Sequence, residues 1–161
     1  MAKGYCVFSN GIYPRRLYVA VGLSEDDVNR MFISERGMLT LNREGYYAAT
    51  FDEVRDRDTM MYGSLVMFRS KGEMTPVTMA HEAVHVMESY MDVLGLERTG
   101  RGTNEHLSYL LGWIVKCMDE VKKGRVKPVT PRVKNKKNSN DKRKDKKRKS
   151  SSECPFTWAI T

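Results

Sequence analysis

Two histidines four residues apart, His81 and His85, are the residues of this chain best suited to metal chemistry. They lie in a helical pattern for which Thr75 is a suitable N-cap and Pro76 a suitable first residue, since the missing N–H of proline needs no partner there. Residues four apart face the same side of a helix, so both imidazoles can bind one ion. Glu82 lies about 100° round the helix from His81, where a carboxylate can take a proton from metal-bound water without binding the metal.

A third candidate ligand, Glu105, follows His81 by twenty-four residues and opens a second helical pattern over about 104–121. Two imidazoles, one carboxylate and one water molecule complete the tetrahedral arrangement of a catalytic zinc site, so the sequence predicts Zn2+ as cofactor. The alternative interpretation is that His81 and His85 are polar positions on an amphipathic helix. Glu105 would then be a carboxylate favoured by the positive end of the helix dipole.

These residues resemble the gluzincin branch of zinc metallopeptidases, the thermolysin-like group. The resemblance rests on the His-Glu-x-x-His motif at 81–85 and the Asn-Glu pair at 104–105, and it covers roughly residues 64–118. It implies a zinc endopeptidase with Glu82 as general base and a peptide or protein as substrate. The chain also resembles, more weakly, small phage-encoded or prophage-encoded zincin-like proteins.

The position four residues after Glu105 departs from the thermolysin-like pattern. That group has an Asp there, which braces the first histidine, and this chain has Tyr109. A phenol can accept a hydrogen bond but carries no negative charge. Tyr109 lies one turn after Glu105 on the same helical face, and Ser108 lies close to that face, so both are candidates for orienting the metal ligands. Packing alone is the alternative interpretation of Tyr109.

Periodicity predicts an α+β fold with about three strands, at residues 16–22, 46–51 and 64–70. By the resemblance, these strands form a short and mostly antiparallel sheet in a zincin-like domain of residues 1–121. The sheet would pack on the active-site helix and on the second, ligand-bearing helix. The resemblance also makes 64–70 a candidate edge for pairing with an extended substrate, and an ordinary core strand is the alternative.

Charge divides the chain into two parts. Residues 122–149 carry fifteen Lys and Arg against two Asp, a net of +13, so the rest of the chain carries 8 − 13 = −5. We expect residues 122–161 to form a disordered basic tail that either solubilises the chain or binds nucleic acid without reading its sequence. The second function hypothesis is therefore a non-catalytic zincin-like interaction protein tethered to nucleic acid. The candidate nucleic-acid-binding residues are Lys134, Lys136, Lys137, Lys142, Arg143, Lys144, Lys146, Lys147, Arg148 and Lys149.

The apolar runs and the cysteines of the sequence predict where in the cell the protein is located. The sequence has no run of eighteen apolar residues, so we expect no contact with a membrane interior. We also expect no secretory signal, because the first residues contain no apolar core of seven or more. The three cysteines, Cys6, Cys117 and Cys154, form no C-x-x-C pair and suit reduced thiols in a cytoplasm, the host cytoplasm if the protein is phage-encoded.

Overall fold

The computed structural model describes residues 4–41, 46–96 and 104–130. Within these residues the chain forms one five-stranded sheet and three α-helices, which confirms the α+β class. In chain order the elements are β1 (Tyr5–Phe8), β2 (Arg16–Val21), α1 (Glu25–Met31), β3 (Phe32–Ser34), β4 (Ala48–Asp56), β5 (Tyr62–Phe68), α2 (Pro76–Leu94) and α3 (Glu105–Lys122).

The sheet has the strand order β1-β2-β5-β4-β3. Strands β2 and β5 run parallel, whereas the other three neighbouring pairs are antiparallel. The prediction of about three strands was therefore too low. Strand β1 was missed because it has only four residues and precedes the Asn10-Gly11 turn, and β3 was missed because its three residues follow a helix without a loop.

Strand β5 is the centre of the sheet and is buried on both faces. Val66 and Phe68 join the core on the side of α2 and α3, whereas Leu65 and Met67 join a second core on the opposite side. Because β5 pairs with β2 along one edge and β4 along the other, no peptide can add to it. The expectation that this strand is a substrate-docking edge was wrong, and its interpretation as a core strand was right.

Helix α1 begins as its sequence predicts and ends earlier than expected. Ser24 Oγ accepts a hydrogen bond from the backbone N–H of Asp27, and the Asp27 carboxylate accepts one from the Ser24 N–H, which completes a capping box. Ser24, the acidic residues after it and the helical spacing of Val28, Met31 and Phe32 predict a helix that ends near Arg36-Gly37, but the chain becomes extended at Phe32. There the Phe32 ring is buried against Tyr5 and Tyr18, with ring centroids 4.7 and 5.0 Å apart, and packing outweighs helix propensity.

Helices α2 and α3 cover one face of the sheet. Thr75 Oγ1 accepts a hydrogen bond from Thr78 N–H at 3.1 Å, Pro76 is the first helical residue, and Gly95 ends α2 with a φ of 62°. These are the caps that the sequence predicts. Buried side chains of both helices, among them Val86 and Ile114, meet those of β2 and β5 in one core.

The described chain continues beyond α3 and returns to the sheet. Val129 N–H donates to Tyr5 O at 2.8 Å, and Tyr5 N–H donates to Val129 O at 3.2 Å. Cys6 and Cys117 are buried free thiols. None of the helices in the described ranges is long and apolar enough to cross a membrane. The lysines and arginines of 134–149 that we associate with nucleic acid lie outside the described residues.

Two glycines give opposite expectations for stability. A Cβ on Gly63 would lie 2.1 Å from Arg16 O and 2.7 Å from a Tyr18 ring carbon, whereas a Cβ on Gly112, which is exposed in α3, would meet nothing within 4 Å. We expect Gly63→Ala to lower the free energy of unfolding by about 2–3 kcal/mol through overpacking. Gly112→Ala should raise it by about 0.5–1 kcal/mol. Urea unfolding measures both, and a Gly63→Ala chain as stable as the wild type would contradict the tight β2–β5 approach.

Candidate metal centre

His81 and His85 present their ring nitrogens to each other on the exposed side of α2. The two Nε2 atoms lie 3.2 Å apart, and the ring centroids lie 4.8 Å apart with the planes at 78°. Ala83 and Val86 lie on the buried face of α2, so the two histidines lie on its exposed face. The spacing predicted from the sequence therefore yields a convergent pair of imidazoles.

The distance between the two Nε2 atoms fits two ligands of one zinc ion. Zn–N bonds of about 2.0–2.1 Å at a tetrahedral angle place two ligand nitrogens about 3.3 Å apart. The observed 3.2 Å agrees with this value. His81 and His85 are thus arranged as a pair that can hold a single divalent cation between them.

Glu82 lies on the side of α2 that faces the sheet. Only 5% of the residue is exposed, and its Oε2 accepts a hydrogen bond of 2.6 Å from Thr50 Oγ1 on β4. A buried carboxylate needs such a partner, since an unsatisfied charged group is costly away from water. Thr50 therefore holds the Glu82 carboxylate against β4, on the helix that also carries the histidine pair.

Glu105 is exposed at the first position of α3. Residues 4–41, 46–96 and 104–130 contain no group of three or more His, Cys, Asp or Glu side chains that could hold one metal ion. The structure thus brings His81 and His85 together, whereas neither Glu82 nor Glu105 joins them in a three-ligand group among these residues. The part of the α2–α3 connection at 97–103 lies outside the described residues, and Glu105 as third ligand stays a prediction.

The two residues expected to orient ligands have other surroundings. Ser108 Oγ donates to Asn104 O at 3.4 Å, within the first turn of its own helix. Tyr109 is 75% exposed and, with His106 and Trp113, lines an apolar groove of about 410 Å3 between α3 and the loop before β2. Their proposed orienting roles stay predictions.

The sequence interpretation missed the contribution of β4 beyond Phe51. Asp52 lies one strand position after Phe51, and its carboxylate is 4.0 Å from Arg36. Burial raises the pKa of Asp52, while the positive charges of Arg36 and His85 act in the opposite direction. Alternation of side chains along a strand was the available signal, because it places Thr50 and Asp52 on the same side once the strand is extended.

No family model, no curated protein and no solved structure matches this chain. The resemblance to gluzincins therefore rests on the motif residues themselves. These residues are His81, Glu82, His85, Asn104 and Glu105.

The Thr50–Glu82 hydrogen bond can be tested by an isosteric change. Thr50→Val should lower the free energy of unfolding by about 1–3 kcal/mol, because it leaves a buried carboxylate without its donor. Thr50→Ser should retain most of the stability, and combining Thr50→Val with Glu82→Gln should reduce the loss because the amide carries no charge. Urea unfolding of the wild type, Thr50→Val, Glu82→Gln and the double variant measures the coupling. A Thr50→Val chain as stable as the wild type would show that the contact is not formed.

Proposed function

We propose that this protein is a zinc-dependent metallopeptidase that hydrolyses peptide bonds. The observation that carries the proposal is the 3.2 Å approach of the His81 and His85 Nε2 atoms on the helix that also carries a buried carboxylate, Glu82. Glu105 is the proposed third ligand. Two neutral imidazoles and one carboxylate are the ligand set of a hydrolytic zinc site, with one position left for water.

The proposed site assigns a separate role in peptide hydrolysis to the zinc ion, to Glu82 and to Thr50. When bound, a zinc ion supplies Lewis acidity that lowers the pKa of water to about 7 and polarises a carbonyl group. Glu82 accepts the proton of the attacking water and delivers it to the leaving amine as the C–N bond breaks. Thr50 donates to Oε2 of Glu82, and we assign the proton transfer to Oε1.

One edge of β4 could pair with an extended peptide substrate. Residues 48–51 and 54–55 of β4 pair with β5 on one side, with an irregularity between Phe51 and Val54, whereas β3 pairs only with residues 54–56 on the other side. Among the described residues, the stretch 48–53 therefore has an unpaired strand edge. It includes Thr50, which contacts Glu82, so a peptide that adds to this edge would pass the general base.

Glu82→Gln separates hydrolysis from metal binding. We expect this variant to keep its zinc and to lose hydrolysis of a generic peptide or casein substrate by about 10²–10⁴-fold, the usual range for a general base. His85→Ala is the control, and it should lose both zinc and hydrolysis. Hydrolysis at the wild-type rate by Glu82→Gln would rule out this mechanism.

The charge distribution favours a second candidate, a zincin-like interaction protein bound to nucleic acid. It is motivated by the net +13 of residues 122–149 against −5 for the rest of the chain. Such a basic segment binds phosphates by releasing counterions, whichever bases are present. This candidate needs no hydrolysis and is compatible with bound zinc.

A chain ending at Thr130 tests this second candidate. It keeps the Tyr5–Val129 pairing and removes residues 131–161, which contain eleven of the fifteen basic residues of 122–149. The basic residues that remain in that range are Lys122, Lys123, Arg125 and Lys127. The full chain should bind a duplex DNA of arbitrary sequence with an affinity that falls at least about tenfold between 50 and 200 mM salt. The shortened chain should bind much more weakly at 50 mM salt. Equal affinities of the two chains, measured by fluorescence anisotropy, would reject the tethering role.

A further inference from the structure

A buried cation, Arg15, joins the sheet to the helix that carries the histidines. Arg15 is only 4% exposed. Its Nη2 donates to Asp52 O on β4 at 2.8 Å, to Ser64 Oγ on β5 at 3.3 Å and to Ser89 Oγ on α2 at 3.3 Å. The guanidinium also lies over the Tyr90 ring, 5.3 Å from its centroid. One side chain thus contacts two strands and α2.

Packing alone does not account for this residue. In the described part of the chain no carboxylate forms an ion pair with Arg15, and its Nε is buried without a hydrogen-bond partner there. Burial lowers the pKa of Arg15. The nearby Glu53 and Asp52 charges act in the opposite direction but form no direct pair with it, and a buried charge without such a pair is often less favourable than an apolar side chain of the same size. Buried polar groups of this kind can instead select one arrangement of the elements around them.

The contacts of Arg15 complement the contact between Thr50 and Glu82. Ser89 follows Glu82 by seven residues, or two helical turns, so both face the sheet. Ser89 Oγ on α2 is 3.5 Å from Asp52 O on β4, and Asp52 follows Thr50 by two residues in that strand. Helix α2 is therefore fastened to β4 at two points, and residue 85 lies between them along the helix.

Two contacts with β4 restrict the position of α2 more than one contact does. The apolar core presses α2 against the sheet, and the contact to Glu82 is a single directional contact with β4; a shift of one residue along the helix is about 1.5 Å. The second contact fixes the far half of the helix. We propose that Arg15 is a positioning residue, which through Ser89 holds α2 on β4 and thereby sets the placement of His81, His85 and Glu82. The consequence for metal binding rests on the proposed function, whereas the fastening of α2 does not.

Ser89 and Ser64 form a matched pair for the test. Both hydroxyls are buried, both lie 3.3 Å from Arg15 Nη2, and they lie 3.3 Å from each other, but only Ser89 is on α2. Ser89→Ala and Ser64→Ala each remove one partner of the guanidinium. If Arg15 only packs, or its neighbours only solvate its charge, the two substitutions should change the local opening of α2 equally. If Arg15 positions α2, Ser89→Ala should change it more than Ser64→Ala.

The deciding measurement is amide hydrogen exchange of the zinc-free full-length chains, read on peptides that cover residues 79–86. We expect Ser89→Ala to speed exchange there by about tenfold and Ser64→Ala to leave it within about twofold of the wild type, because exchange reports local opening of the helix. Equal acceleration by the two variants, or none by either, overturns the proposal. Since no metal is present, the result does not depend on the proposed function.

Zinc titration of the same chains then tests the consequence for the metal centre. Where the wild type binds zinc and His85→Ala does not, Ser89→Ala should weaken zinc affinity by about tenfold, the low end of the effect of residues that position metal ligands. Ser64→Ala should change it by less than about twofold. Arg15→Lys should retain zinc affinity better than Arg15→Met, because a single nitrogen of Arg15 makes all three contacts and an ammonium can donate to three acceptors. Equal affinities of these two variants would contradict the role of the donated hydrogen bonds.

Discussion

The hydrogen bond between Thr50 Oγ1 and Glu82 Oε2 is the contact on which the candidate site depends. It requires a carboxylate on the sheet side of α2, a hydroxyl on the helix side of β4 and a separation of 2.6 Å between them. With Glu82 on the sheet side, His81 and His85 lie about 100° and about 60° from it round the helix, in the same direction, and both are exposed. The same helix therefore provides a buried acid and an exposed pair of imidazoles.

The central position of β5 makes this contact possible. A strand that is apolar on both faces carries a core on each side of the sheet, so α2 and α3 pack over one face while α1 and the aromatic group around Phe32 fill the other. Strand β4 lies next to β5 and beside α2, and β3 covers only its last residues. The unpaired stretch of β4 and the histidine pair therefore belong to the same part of the molecule.

Local signals were sufficient to predict the helices and the central strands. Helix α2 starts at Thr75-Pro76 because the first N–H groups of a helix need a cap, and it ends at Gly95 because glycine readily adopts a positive φ. The spacing of four residues places His81 and His85 on the same face. The paths of β1, β3 and the second half of β4 depend on distant partners. Tyr5 pairs with Val129, and Phe32 is fixed by the rings of Tyr5 and Tyr18, neither of which is visible in a local pattern. Arg15 was missed for the same reason, since its partners lie 37, 49 and 74 residues away.

The central claim is that His81 and His85 hold one divalent ion. Zinc content of the purified full-length chain, combined with X-ray absorption at the zinc edge, tests it most directly. The account predicts one zinc per chain, a first shell that includes two imidazoles, and loss of the ion in His81→Ala and in His85→Ala. A wild-type chain that takes up no zinc, or one whose zinc content is unchanged by either substitution, would contradict it.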